Sequence, residues 1–183
     1  MKKLLCLAAY LGIGLTAMAQ GTVLFNNIGS TNLVINSFTG MAQAVSPADN
    51  LVLALYGGTN GASEATLVQL GLTAVINPAP GLFSGGTRTN NAVAGGTPGV
   101  FQVRAWDSSF GLTYEDFLVN APPSAQNGKS ALFTSNTASG INPPVNLAST
   151  FPGLTLIPEP TTYALVAAGA GLIWLTRRRR DQS

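Results

Sequence analysis

Histidine is absent from the 183-residue chain, cysteine occurs once, at Cys6, and charged residues make up only 9% of the sequence. Each shortage excludes a class of chemistry. Without an imidazole there is no Ser-His-Asp triad and no His-ligated metal, and a single thiol closes neither an intramolecular disulfide nor a thiolate metal cage. Globular domains usually carry about a quarter of their residues as charges, so the composition argues against an ordinary cytoplasmic enzyme. Basic residues are scarcest where a nucleic acid would need them. Between Gln20 and Ile157 only Arg88, Arg104 and Lys129 are basic, against Asp49, Glu64, Asp107, Glu115 and Asp116, a net charge of −2 over that stretch. Neutralising a phosphate backbone takes lysines and arginines spread along one face, so nucleic acid is not an expected partner.

The six other basic residues sit at the two ends. Lys2 and Lys3 precede an apolar stretch from Leu4 to Leu15, followed by Thr16-Ala17-Met18-Ala19 and Gln20. A positive start, a short apolar helix and small residues before a polar one form the three-part layout of a secretory signal, with cleavage expected between Ala19 and Gln20 and Ala17 as the other small residue of the site. The layout implies the Sec machinery and signal peptidase as partners. Cys6 falls before the apolar core is complete, too early for a lipoprotein cysteine, and would leave with the signal.

At the other end Pro158-Glu159-Pro160 precedes an uncharged run from Tyr163 to Leu175, closed by Arg177, Arg178, Arg179 and Arg180. Residues 161–176 as a helix would extend roughly 24 Å at about 1.5 Å per residue, somewhat short of a ~30 Å hydrocarbon core. Thinning of the bilayer and snorkelling of the arginines accommodate the difference. Tyr163 and Trp174 lie near the two ends of the run, where amphipathic rings favour the headgroup level. The arginine cluster places the C-terminus on the cytoplasmic side and everything between the two apolar runs outside.

This order of parts resembles the PEP-CTERM sorting signal of Gram-negative bacteria. The resemblance implies an exosortase, a membrane-embedded cysteine transpeptidase, as a partner. It makes Pro158, Glu159 and Pro160 the recognition motif, the apolar run a transient membrane anchor, and Arg177 to Arg180 the stop-transfer cluster. Two prolines deny the backbone a helix and hold Glu159 extended, a form that an enzyme groove accepts. Gln20-Gly21-Thr22-Val23-Leu24-Phe25-Asn26-Asn27, Val100 to Trp106 and the following Ser108-Ser109-Phe110-Gly111-Leu112-Thr113-Tyr114-Glu115 are similar to secreted PEP-CTERM proteins of Verrucomicrobia. That second resemblance implies an exported β domain and no particular activity.

Between the ends lie about 138 residues, enough for one domain. Short apolar runs alternate with turn-forming clusters: Thr22 to Asn26, Leu33 to Phe38, Leu51 to Tyr56, Leu67 to Leu70, Leu72 to Ile76, Leu132 to Thr134 and Leu147 to Phe151 have strand length. The clearest strand is Gly99 to Asp107, with Phe101, Val103 and Ala105 on one face and Gln102 and Arg104 on the other. Ser108 to Asn120 is the best place for a helix, with Tyr114, Phe117 and Leu118 at helical spacing and Glu115 and Asp116 outside. Many short strands without a βαβ rhythm predict an all-β, antiparallel sandwich of immunoglobulin-like or jelly-roll-like type over residues 20–135, set between the signal helix and the membrane helix. The Ser, Pro, Asn and Thr content of 136–156 predicts a linker, and 157–183 forms the sorting signal.

No catalytic residue, metal ligand or cofactor site stands out. Glu115, Asp116 and Asp107 are too close in sequence to face each other across a glycosidic bond at roughly 5 to 9.5 Å, and the alternating acids of a calcium loop are missing. They read as surface charge. Gly85-Gly86 and Gly95-Gly96-Thr97-Pro98-Gly99 lack the Lys-Ser/Thr and strand-to-helix setting of phosphate loops and read as turns. Trp106 and Tyr114 are the candidate glycan contacts, against the alternative that Trp106 is partly buried core. The expectation is a non-enzymatic surface or extracellular-matrix protein at the cell surface; the alternative is an envelope-anchored polysaccharide-binding module or weak glycan hydrolase.

Overall fold

A computed structural model describes residues 20–36, 42–140 and 142–158. The expected signal helix with Ala17 and Ala19, Glu159 and Pro160, the helix at 161–176 and the cluster Arg177 to Arg180 lie outside the described residues. Those described fold mostly as β structure. In chain order the strands are β1 (Gln20–Asn26), β2 (Val34–Asn36), β3 (Gln43–Ala44), β4 (Leu51–Thr59), β5 (Val68–Gln69), β6 (Ala74–Val75), β7 (Ser84–Ala94) and β8 (Pro98–Asp107), then a short helix α1 (Tyr114–Asn120), then β9 (Gln126–Lys129), β10 (Phe133–Asn136), β11 (Val145–Asn146) and β12 (Leu154–Pro158).

The backbone of the fold is the antiparallel pair β4–β8, in register from Leu51 opposite Asp107 to Thr59 opposite Gly99. It sits within a sheet ordered β3-β2-β12-β9-β8-β4-β5, with β6 also on β4 and β10 also on β8. A smaller sheet is ordered β11-β1-β7. Two pairings depart from the expected antiparallel pattern: β1 runs parallel to β11 and β2 parallel to β12. Parallel neighbours need a long connection, and here almost the whole domain intervenes between the partners.

The central sheet is buried on both faces. Leu53 and Leu55 of β4 and Phe101, Val103 and Ala105 of β8 pack with Val23 and Phe25 of β1, with Phe83, and with Leu147, Phe151, Leu154 and Leu156 from the end of the domain. Phe83 stands between Phe25, at 4.7 Å between ring centroids, and Phe151, at 5.6 Å and nearly perpendicular. On the opposite face Ala54, Tyr56 and Trp106 pack with Tyr114 and Phe117 of α1. The alternation in β8 was therefore correctly placed, but Gln102 and Arg104 face a covered surface and are buried.

The helix is shorter than the candidate segment. Ser108–Phe110 forms a 3-10 turn capped by Asp107, whose carboxylate accepts from the Ser109 amide at 2.9 Å. Thr113 and Asp116 then form a reciprocal capping box that starts α1. Tyr114 and Phe117 point into the core as expected, whereas Leu118 is exposed.

Several sequence expectations are corrected. Residues 136–156 are folded rather than a linker: they hold the end of β10, β11, a 3-10 turn at Leu147–Ser149 and most of β12. Burying Leu147, Phe151, Leu154 and Leu156 is worth about 1.5–3 kcal/mol for each side chain, which a solvated linker would forgo. Side-chain bonds hold the segment as well: Asn146 accepts from the Ala148 amide at 2.9 Å, and Asn32, 119 residues away in the chain, donates to the Phe151 carbonyl at 2.8 Å. Leu147 to Phe151 is accordingly a turn and not a strand. Gly85 and Gly86 lie inside β7 rather than in a turn, because a Cβ on Gly85 would stand 2.4 Å from the Phe25 ring. Gly57 and Gly58 likewise continue β4, the chain turning after Thr59.

Candidate functional site

Arg104 anchors a connected, largely buried polar cluster. Its position on β8 aims it at the face covered by α1, and all three guanidinium nitrogens donate: Nε to Gln102 Oε1 at 2.9 Å, Nη1 to Glu115 Oε1 at 3.1 Å and Nη2 to the Glu64 carbonyl at 3.2 Å. The guanidinium also lies 3.9 Å from the centre of the Tyr56 ring, a cation–π contact sheltered from water. Tyr56 donates its hydroxyl to Glu115 Oε2 at 2.9 Å. Burial, reinforced by that bond, pushes the Tyr56 phenol well above its usual range. The Glu64 carboxylate accepts from Lys129, whose hydrogen bond holds it below the ordinary carboxylate range. Arg104 thus ties α1 and the 3-10 turn Glu64–Thr66 to the central sheet, and its donors are committed to that task.

Trp106 and Tyr114 are together, but not as glycan contacts. Trp106 is 0% exposed, donates Nε1–H to the Gly111 carbonyl at 3.0 Å and meets the Tyr114 ring edge-on at 5.8 Å. Tyr114 is 3% exposed and donates its hydroxyl to Asn127 at 3.2 Å. A stacking platform needs a free ring face, so both residues are corrected to core. The nearby acids are divided among separate tasks: Glu115 pairs with Arg104, Asp116 caps α1 and Asp107 caps the preceding turn. Among the described residues no three Asp, Glu, Cys or His side chains converge as metal ligands.

A cleft of about 460 Å³ was not foreseen. It opens between the two sheets, with Gly57, Gly58 and Thr59 of β4 on one side, Val68 to Gly71 on another and Thr89 to Ala92 of β7 on the third. Strand β7 pairs with β1 along one edge, and its inward side chains bridge the gap to the larger sheet. Asn90, 1% exposed, donates to the Gly58 carbonyl at 3.1 Å, and Arg88 reaches the Leu72 carbonyl at 2.7 Å. Desolvation lowers the pKa of Arg88, and no carboxylate pairs with it among the described residues. The cleft lining is uncharged, built from Thr, Asn, Gln and Gly with Val68 and Leu70. Such a surface suits a neutral ligand held by hydrogen bonds. Sequence reasoning had no signal for it, since its walls come from three segments related only by the fold.

Of the sorting residues, Gln20 opens β1 and Pro158 ends β12, where its backbone stands opposite Gln126. Among the described residues no helix is long and apolar enough to cross a membrane. The chain matches no family model, no curated protein and no solved structure.

Proposed function

We propose that the chain is an exported, non-enzymatic surface or extracellular-matrix protein, sorted and trimmed by an exosortase at Pro158-Glu159-Pro160. The observation that carries this reading is the sequence order at the C-terminus: a proline-flanked glutamate, an uncharged run and four arginines, in a chain that begins with a signal-like segment. The β domain fits that role as an open sandwich whose two sheets share one core. Its largest polar cluster, around Arg104, is spent on packing. Mass spectrometry of the mature C-terminus tests the proposal. A chain ending near Pro158 to Pro160 and lacking Arg177 to Arg180 is expected; recovery of the intact arginine tail from the cell surface would overturn it.

The uncharged cleft favours a second reading, a module that binds a neutral polysaccharide. Saturable binding of the exported domain to a glycan array, weakened when Asn91 or Gln69 is replaced by alanine, would support it. Binding unchanged by both substitutions would remove the cleft from consideration.

A further inference from the structure

The end of β12 fixes where the chain leaves the domain. Ile157 stands opposite Asn127 and Pro158 opposite Gln126, while Asn127 stands opposite Trp106 on β8. Pro158 therefore emerges at the end of the sheet where β8 finishes at Asp107 and β4 begins at Leu51. Asn50, Asp107 and Gln126 line one small hollow there. The loop that leaves β8 at this end carries Leu112, whose side chain is open to solvent at 87% exposure.

The sequence leaves only Glu159 and Pro160 between Pro158 and Thr161, where the membrane helix read over 161–176 would begin. Three residue steps reach at most about 11 Å even when fully extended. We infer that this end of the sheet, carrying Asn50, Asp107, Gln126 and Leu112, lies against the headgroup surface of a lipid bilayer until the tail is trimmed. The inference rests on the reading of residues 161–176 as a membrane span. It goes beyond that reading by orienting the domain: with 136–156 folded into the sheet, no spacer holds the domain off the membrane, and β4 stands with Asn50 toward the lipid and Asn60 away from it. Asp49 and Asp107 at the same end would be repelled by anionic lipid, so the matching surface is zwitterionic.

The two ends of β4 supply the test. Asn50 and Asn60 are both exposed and flank a strand that spans about 30 Å at ~3.3 Å per residue. The chain from Gln20 to Ser183, the exported form before trimming and free of cysteine, is labelled with one donor fluorophore at Asn50→Cys or Asn60→Cys and reconstituted into phosphatidylcholine vesicles that contain a headgroup-labelled acceptor lipid. Flotation is scored first. Expected are co-flotation with the vesicles and energy transfer several-fold stronger from position 50 than from position 60. Flotation with equal transfer from both positions, or stronger transfer from 60, overturns the orientation while leaving the membrane span intact. Failure to float in every labelled form overturns the span, and the orientation with it.

Discussion

Arg104 illustrates how a charge is made tolerable inside this domain: its three nitrogens meet three different acceptors, and an aromatic face lies beneath it. Removing it takes the donor from Gln102 Oε1 and from the Glu64 carbonyl in a covered space, whereas removing the charge of the exposed Glu115 leaves water able to substitute. Arg104→Ala is therefore expected to lower stability by about 3 kcal/mol and Glu115→Gln by under ~1 kcal/mol, read from urea denaturation midpoints. Tyr56 sets an alkaline limit. Its folded pKa is raised, so its contribution is complete below the unfolded phenol value of about 10 and is lost as the pH climbs beyond it. Between pH 9 and 11.5 the wild-type midpoint should fall more steeply than that of Tyr56→Phe. Glu64 acts in the opposite sense: its folded pKa is lowered, so its small contribution holds above about 4.5 and fades as the pH falls further. At this scale the sequence was informative about Trp106 and Tyr114 only in part. Alternation along β8 identified the strand, but whether the face carrying Trp106 met water or protein depended on where α1 folded back, and that is a tertiary fact.

Strands with an apolar alternation were readable and polar ones were not. Thr22 to Asn26, Leu51 to Tyr56 and Gly99 to Asp107 all fall within strands, because each buries a leucine, valine or phenylalanine on at least one face. Strand β7 reads Ser-Gly-Gly-Thr-Arg-Thr-Asn-Asn-Ala-Val-Ala and shows no such pattern, since along most of its length what it turns inward is Arg88 and Asn90, with Val93 its one buried aliphatic side chain. Strand β9, Gln-Asn-Gly-Lys, was equally invisible: its Gly128 is selected by close approach, not by burial of a side chain. A Cβ at Gly128 would stand 2.6 Å from the Thr155 carbonyl oxygen, which forces β9 away from β12. Gly128→Ala is expected to destabilise the domain by about 1–3 kcal/mol. Amide exchange should be faster at Thr155 and Leu156 than at the β4–β8 pair, which stays protected; uniform loss of protection across both would show that β12 does not open separately.

For the molecule as a whole, the boundary drawn from composition would cut through the core. A fragment of residues 20–135 lacks Leu147, Phe151, Leu154 and Leu156 and the parallel partners of β1 and β2, so it should show no cooperative thermal transition by circular dichroism. A fragment of residues 20–158 should melt in a single step; cooperative melting of the shorter piece would mean that the late strands are ornamental. The ends of the domain meet in the fold, Val23 beside Val145 and Val34 beside Leu154. This has a consequence in time. Contacts between residues so distant in the chain make folding slow, because a large loop must close before they form. For a chain exported N-terminus first, the earliest strands would emerge more than 100 residues ahead of their parallel partners. Under the proposed export, closure of the core would wait until Leu156 clears the pore, and the end of folding would nearly coincide with arrest of the apolar run.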